Sequence, residues 1–425
     1  MEKVYTKKNV LFDRHKALAL ISTLALSITF SSFSTASEAK AYGDIRFRYE
    51  NVQQDNTFQD ANALVARVQA GIKTAEFNGF SGVIEMEANR NLFGVDDYSV
   101  PPSLYNFTPP GPPEYSIIPD PEFTEIDQAF IQYKNDAVTA KLGSQVIVLD
   151  NQRYIGHVGW RMDRVTHDAL SLNIKASDNL SLFAAYANKR NRLFGDDQDQ
   201  KSKDIYLNAA YNTSYGKITA YAYLLEDDFN KVTPFDSLLA TDDRETFGLR
   251  LNGSFSLSGQ KVSYIAEYAK QDLKTENGND FSMPYYFIEA ATKIDGATIK
   301  LGHEVLGSDD GTKGFGTPLG TVHLFNGWAD MFVLGTPAAP GTPDAGLTDT
   351  YLLATGKMGP GKITLAYHQY SDAISNGIGD YGTEFDVAYG MKFGKKYAMV
   401  KYATYDSDGF GVDTDKLWVM FGTKF

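Results

Sequence analysis

KLWVMFGTKF, residues 416–425, reads as a strand with two unlike faces. Leu417, Val419, Phe421, Thr423 and Phe425 fall on one side of an extended backbone. Lys416, Trp418, Met420, Gly422 and Lys424 fall on the other. A period of two with this contrast belongs to a β-strand that meets two different surroundings. The pattern recurs backwards along the chain. Phe385, Val387, Tyr389, Met391 and Phe393 oppose Glu384, Asp386 and Lys392. Phe247, Leu249 and Leu251 oppose Arg250 and Asn252, and Ile45, Phe47 and Tyr49 oppose Arg46, Arg48 and Glu50.

Such segments lie near 45–50, 63–73, 80–89, 126–134, 138–145, 168–175, 179–188, 203–212 and 216–226. They continue at 245–255, 261–271, 284–294, 297–305, 349–358, 361–371, 383–393, 396–405 and 415–425. That makes eighteen strands, with sixteen as the alternative if a hairpin is miscounted. Their connections alternate in length. Asn135-Asp136, Ser177-Asp178, Asp295-Gly296, Gly359-Pro360-Gly361 and Gly394-Lys395 make tight turns. The stretches 90–125, 146–167, 189–202, 227–244, 272–283 and 306–348 are longer and more polar. Loop length sorted by parity is the mark of a membrane-spanning barrel, since a soluble sandwich or propeller has no reason to segregate it. A spanning sheet must satisfy every backbone N–H and C=O internally, so it must close. The expected fold is all-β: a closed transmembrane antiparallel up-and-down β-barrel with short periplasmic turns and long external loops. Twenty-two strands around an internal plug domain would not fit this chain length.

The opening residues give an address. Lys3, Lys7, Lys8, Arg14 and Lys16 precede an uncharged run from Ala17 to Phe33, and Ala39-Lys40-Ala41 follows as a small-residue cleavage site. This order is a secretory signal peptide, with a membrane anchor as the competing reading of the run. Residues 1–41 are expected to be removed and residues 42–425 to form one barrel domain in the outer membrane of a Gram-negative bacterium. Composition agrees. The chain holds 27 Phe and 26 Tyr, suited to interfacial girdles, yet its mean hydropathy is -0.30. A formal net charge of -13 argues against a nucleic-acid partner. The absence of Cys removes disulfides, thiolate metal sites and thiol nucleophiles.

Enzyme chemistry has little footing. His157, His167, His303, His323 and His368 show no metal-binding spacing, and no G-x-S-x-G motif appears. No metal or cofactor is expected. A barrel phospholipase with a distant Ser–His pair is the enzyme alternative, and a surface adhesin with a blocked lumen is the non-transporting one. Glu226-Asp227-Asp228 and Asp242-Asp243 read as solvated loop charge rather than a Ca²⁺ loop, because EF-hand spacing is missing.

Lys141-Leu-Gly-Ser-Gln145, Leu149-Asp-Asn-Gln-Arg153-Tyr-Ile-Gly156, Gly159-Trp160-Arg161 and Thr166-His-Asp168 form one conspicuous stretch. It resembles the GRQ…NQR.IG…WR…FD stretch of the alginate-export family of outer-membrane porins. Gly314-Phe-Gly-Thr-Pro318 and Phe325-Asn-Gly-Trp-Ala-Asp330 are similar to a second motif of that family. The resemblance implies a monomeric eighteen-stranded barrel. Ser144 stands where the family pattern has Arg, and His167 where it has Phe. The family's alginate exporter has a strongly basic lumen suited to a polyanion. The inward positions here are mixed, so the resemblance does not bring alginate with it as the substrate.

The candidate pore-lining residues are Arg46, Arg48, Arg67, Lys141, Arg250, Glu267 and Glu289. Asp168, Arg153, Arg161 and Arg164 complete these candidates, and the three arginines lie close together. They are expected to form a lumenal charge cluster on an infolded loop, to tie that loop to the wall through Asp150, Asp163 and Asp168, or both. The connection 306–348 is expected to fold into the mouth, with an external flap as the alternative. Its apolar centre includes Val322, Leu324, Phe325, Trp328, Met331, Phe332 and Leu334, too much to leave in water. Their spacing suits a short amphipathic helix, with Thr336 to Gly346 as a flexible return. Phe325, Trp328 and Asp330 are the constriction candidates, and Phe425 the signal to the outer-membrane assembly machinery. The expected partners are outer-membrane lipid, lipopolysaccharide and small hydrophilic solutes.

Overall fold

The computed structural model describes residues 38–100, 114–195, 199–227, 243–275, 278–334, 342–374 and 377–425. The first nine strands are β1 (Lys40–Gln54), β2 (Ala61–Lys73), β3 (Phe80–Asp97), β4 (Phe123–Lys134), β5 (Val138–Gln145), β6 (Thr166–Lys175), β7 (Leu180–Asn191), β8 (Gln200–Thr213) and β9 (Gly216–Leu225). The second nine are β10 (Asp243–Leu257), β11 (Gln260–Lys274), β12 (Asp280–Ile294), β13 (Ala297–Leu306), β14 (Leu347–Met358), β15 (Gly361–Ser371), β16 (Asp380–Phe393), β17 (Lys396–Ser407) and β18 (Thr414–Lys424). Each pairs antiparallel with the next. β1 pairs with β18 from Asp44↔Lys424 to Gln54↔Thr414, so the sheet closes with no free edge.

All eighteen expected segments reappear, and the sixteen-stranded alternative falls away. The strands outrun their periodic stretches, β3 reaching Asp97, because pairing continues past the lipid band where polarity no longer alternates. The short turns are built as their residues suggest. Ser258-Gly259 and Asp295-Gly296 both take positive φ at both positions, the mirror-image turn that matches strand twist.

The two faces separate as the period of two requires. On β18, Trp418 is fully buried, while Val419 is 43% and Phe421 42% exposed. Ile131, Leu142, Leu301 and Leu352 are exposed on the same outer surface. Among the described residues no helix is long and apolar enough to cross a membrane. The inner surface carries the charge: Arg48, Glu50, Glu87, Asp204 and Asp386 are buried there. The expected signal segment lies outside the described residues up to residue 37, and Ala41 is the second residue of β1. Cleavage after it would leave the β1–β18 seam untouched, since that begins at Asp44. Asp228 and Asp242 also lie outside the described residues.

Candidate functional site

Two connections leave the mouth, turn inward and meet inside the barrel. The first joins β5 to β6 and buries Ile147, Leu149, Tyr154, Ile155 and Met162. The second joins β13 to β14 and buries Phe315, Leu319, Ala329, Met331 and Phe332. Apolar side chains of this number are driven out of water, and the barrel interior is the one place the chain can hide them. Backbone bonds zip the loops together: Gly156 N donates to Leu319 O at 2.8 Å and Thr321 N to Gln152 O at 2.9 Å. Thr321 Oγ1 accepts from Val158 N at 3.0 Å and donates to Gln152 Oε1 at 2.8 Å. Val158, Asn326 and Asp330 hold positive φ of 50°, 54° and 59°. For a β-branched residue such as Val158 this is strain, and it falls where Val158 N is bonded to the other loop.

Arginines fix both loops to the wall. Arg153 Nε lies 3.0 Å from Glu304 on β13, its Nη2 donates to Asn326 Oδ1 at 2.8 Å, and its guanidinium covers the Phe325 ring at 4.7 Å. Arg161 reaches Glu50 on β1 at 3.0 Å and Asp330 on the other loop at 3.1 Å. Arg164 pairs with Glu85 and Asp127. From the wall, Arg46 donates to Gly159 O at 3.1 Å and Arg48 to Trp160 O at 2.8 Å. Arg67 lies 3.0 Å from Asp44 and 3.4 Å from Glu87. Arg48 also pairs with Asp120, whose Oδ1 accepts from Met162 N at 2.9 Å, so a third connection braces the first.

The three loop arginines are therefore lumenal and paired, but not with the acids nearest in sequence. Asp150 accepts from Asn208 Nδ2 at 2.7 Å, and Asp163 accepts from Arg164 N at 2.6 Å. Their ion-pair partners come from distant elements because the loop runs along the wall rather than folding on itself. Asp168 is a correction. It sits opposite Ser144, in alternation with the buried His167 and Ala169, and accepts from Ser144 Oγ at 2.5 Å. That register turns it to the outer face with Leu142 and Leu170, so it does not line the pore. The expected amphipathic helix is also absent. Val322–Leu324 forms one 3-10 turn and α1 (Met331–Leu334) one helical turn. The positive φ of Asn326, Gly327 and Asp330 breaks the stretch between them. Much of the expected flexible return lies outside the described residues, which resume at Thr342.

Lys141 faces inward with its ammonium 4.7 Å from the Phe130 ring. Beside the loops an open cavity of about 250 Å³ is lined by Arg250, Glu289, Lys300, Phe287, Phe325 and Tyr351, among others. Lys300 Nζ lies 3.0 Å from Glu289, which also accepts from Tyr351 OH at 2.7 Å. Arg250 Nε is 3.6 Å from Glu267. Among the described residues its Nε makes no hydrogen bond. Of the loop groups, His323 is held down at about 3 by burial and the neighbouring Lys401 and Arg161, against the opposing pull of Asp330. His157 is held at about 4 by burial and then by Arg164, Arg67 and Arg46. One His–hydroxyl pair faces outward, His303 Nδ1 and Thr350 Oγ1 at 2.8 Å, and among the described residues no carboxylate completes it. The residues that sequence reasoning missed are Glu50, Asp120 and Lys401. Glu50 and Lys401 are marked only by an inward position on alternating strands, which dozens of residues share, and Asp120 lies in the β3–β4 connection with no such mark.

The alginate-export family model matches residues 38–298. No curated protein matches the sequence. Among solved structures, OpdQ of Pseudomonas aeruginosa is similar at 13% identity with a TM-score of 0.64, over 92% of this chain and 99% of that one. OpdK of Pseudomonas aeruginosa, solved with vanillate, is similar at 12% identity and a TM-score of 0.66, over 91% and 98%. OccAB4 of Acinetobacter baumannii is similar at 13% identity and a TM-score of 0.60, over 92% and 99%. At these identities the likeness to the solved structures is one of fold.

Proposed function

The chain belongs to the alginate-export family, and from that membership we propose that it is an outer-membrane channel passing small hydrophilic acids, uronate-like in size and charge. One observation carries the reading. The closed eighteen-stranded barrel is narrowed by two infolded loops, and the cavity beside them offers Arg250 and Lys300 next to the rings of Phe287 and Tyr351. A cation supplies the Coulomb attraction that selects an anion at close quarters. Apolar ring faces suit the flat flank of a sugar-sized ring. Glu289, Glu304 and Asp349 share the cavity. Alternating signs favour a short solute with one carboxylate over a polyanion, which would meet repulsion at every second step.

The channel acts as a monomer in this reading, held by lipid around its outer face, with Phe425 presented to the assembly machinery. No catalytic role is assigned to it. Liposome swelling tests the solute class. Uronates are expected to enter faster than neutral hexoses of the same size, and Arg250→Gln to remove most of that advantage while the hexose rate holds. Equal rates for uronates and hexoses in the unaltered protein would overturn the assignment of acids. An absence of any swelling would favour a barrel with a blocked lumen.

A further inference from the structure

The chain has only three tryptophans, and all three converge on one buried lysine. Lys401, inward on β17 and 5% exposed, places its Nζ 3.8 Å from the Trp328 ring centre, 4.3 Å from that of Trp160 and 5.4 Å from that of Trp418. Trp160 belongs to the β5–β6 loop, Trp328 to the β13–β14 loop and Trp418 to β18 of the wall. His323 of the second loop completes the enclosure: its Nε2 lies 2.7 Å from Lys401 Nζ and its Nδ1 2.7 Å from Asp330 Oδ1. The imidazole stacks on Trp160 at 4.4 Å with 11° between the planes. Beside it, Glu384 on β16 accepts from Trp328 N and from Ala329 N, the latter at 2.7 Å.

We propose that Lys401 is the positioning residue that sets the aperture, a wall-borne cation that pins both constriction loops through their indoles. A cation over an aromatic face is attracted by the ring quadrupole, most strongly for indole and most strongly where water is excluded. Three faces turned to one ammonium need a cation at the centre, because apolar packing alone has no reason to bring indoles from three elements around a charged group. The arrangement also takes Lys401 out of the permeation path. Its charge holds loops rather than meeting solutes. A neutral His323 accepts from the ammonium with Nε2 and donates to Asp330 with Nδ1, so each loop ends on a satisfied chain of bonds: Lys401, His323, Asp330, Arg161.

The inference rests on the channel reading for its effect on flux but not for the clamp itself, so two readouts are needed. Lys401→Met keeps the length and removes the charge. Lys401→Arg keeps the charge. In folded, heat-modifiable protein, Lys401→Met is expected to raise single-channel conductance roughly twofold or more, with added noise, as the loops lose their anchor. It is also expected to shift indole emission to the red and expose the indoles to iodide quenching. Lys401→Arg should return both toward the unaltered protein. Since every tryptophan is in the clamp, the fluorescence has no background from elsewhere. Should Lys401→Met fail to fold, Trp328→Leu releases one loop from the other side and is expected to raise conductance likewise. A folded Lys401→Met variant with unchanged emission and quenching would overturn the clamp. A protein that conducts nothing, yet shows the emission shift, would leave the clamp standing and contradict the channel reading instead.

Discussion

His323 and His157 show how single residues tie the pore to its surroundings. Both sit on infolded loops, held near 3 and 4, whereas a released loop would return each imidazole to its ordinary 6.5. A released histidine then takes up protons that the docked one refuses. The docked state keeps its full advantage above pH 6.5 and loses it as pH falls toward about 4 for His157 and about 3 for His323. For His323 the slope is about 1.4 kcal/mol per pH unit. Asp330 is held below its usual range, where His323, Lys416 and Arg161 outweigh burial, so it stays charged through this window. Single-channel recordings are expected to show noisier and larger openings on acidification, and His323→Gln to flatten the response. A flat profile in the unaltered protein would contradict docking through a neutral His323. Little of this was legible in the sequence. The charge of Arg153, Arg161 and Arg164 could be read, but their partners Glu304, Glu50 and Glu85 come from strands far away in the chain. Lys401 looked like any inward lysine, because nothing local tells that three distant indoles will enclose it.

At the scale of elements, period-two patterning carried the reading because each face meets a different solvent and a slip of one residue would exchange them. β18 is the clearest case. Val419 faces out between Tyr49 and Val400, and Phe425 closes the seam by exchanging backbone bonds with Gly43 at 3.1 and 3.3 Å. Val419→Arg is expected to cost about 2–4 kcal/mol near the midplane, and removal of Phe425 to lower the yield of heat-modifiable barrel. Val419→Leu should be neutral on the same gel. If the Arg and Leu variants fold equally well, the outward assignment of Val419 is wrong. Pattern failed where geometry departs from regular pleating. Pairing slips where Asp168 and Ala169 of β6 meet Lys189 and Ala187 of β7, leaving Asn188 of β7 as a bulge that periodicity does not reveal. The helix expected around Trp328 is broken by the backbone turns at Asn326, Gly327 and Asp330, which carry Trp328 N and Ala329 N to Glu384.

The whole molecule is a wall and a filling made by the same chain. The wall satisfies its backbone by closing β1 on β18. The filling is the two loops whose apolar cores and arginines narrow the lumen. Alternating turn and loop lengths made the wall legible from sequence, since they follow from which end of each strand faces which compartment. How far the loops descend was not, because that depends on contacts between segments well over a hundred residues apart, such as Gly156 with Leu319 and Arg153 with Asn326. In a channel of this build, solutes cross through a closed barrel narrowed by the β13–β14 loop together with its partner. Single-channel recording in planar bilayers tests it most directly, comparing the intact protein with a folded variant lacking residues 320–334. Discrete steps are expected from the intact protein, and larger steps with weaker ion selectivity from the variant. Identical conductance in the two would place the loop outside the permeation path and overturn a lumen narrowed by it.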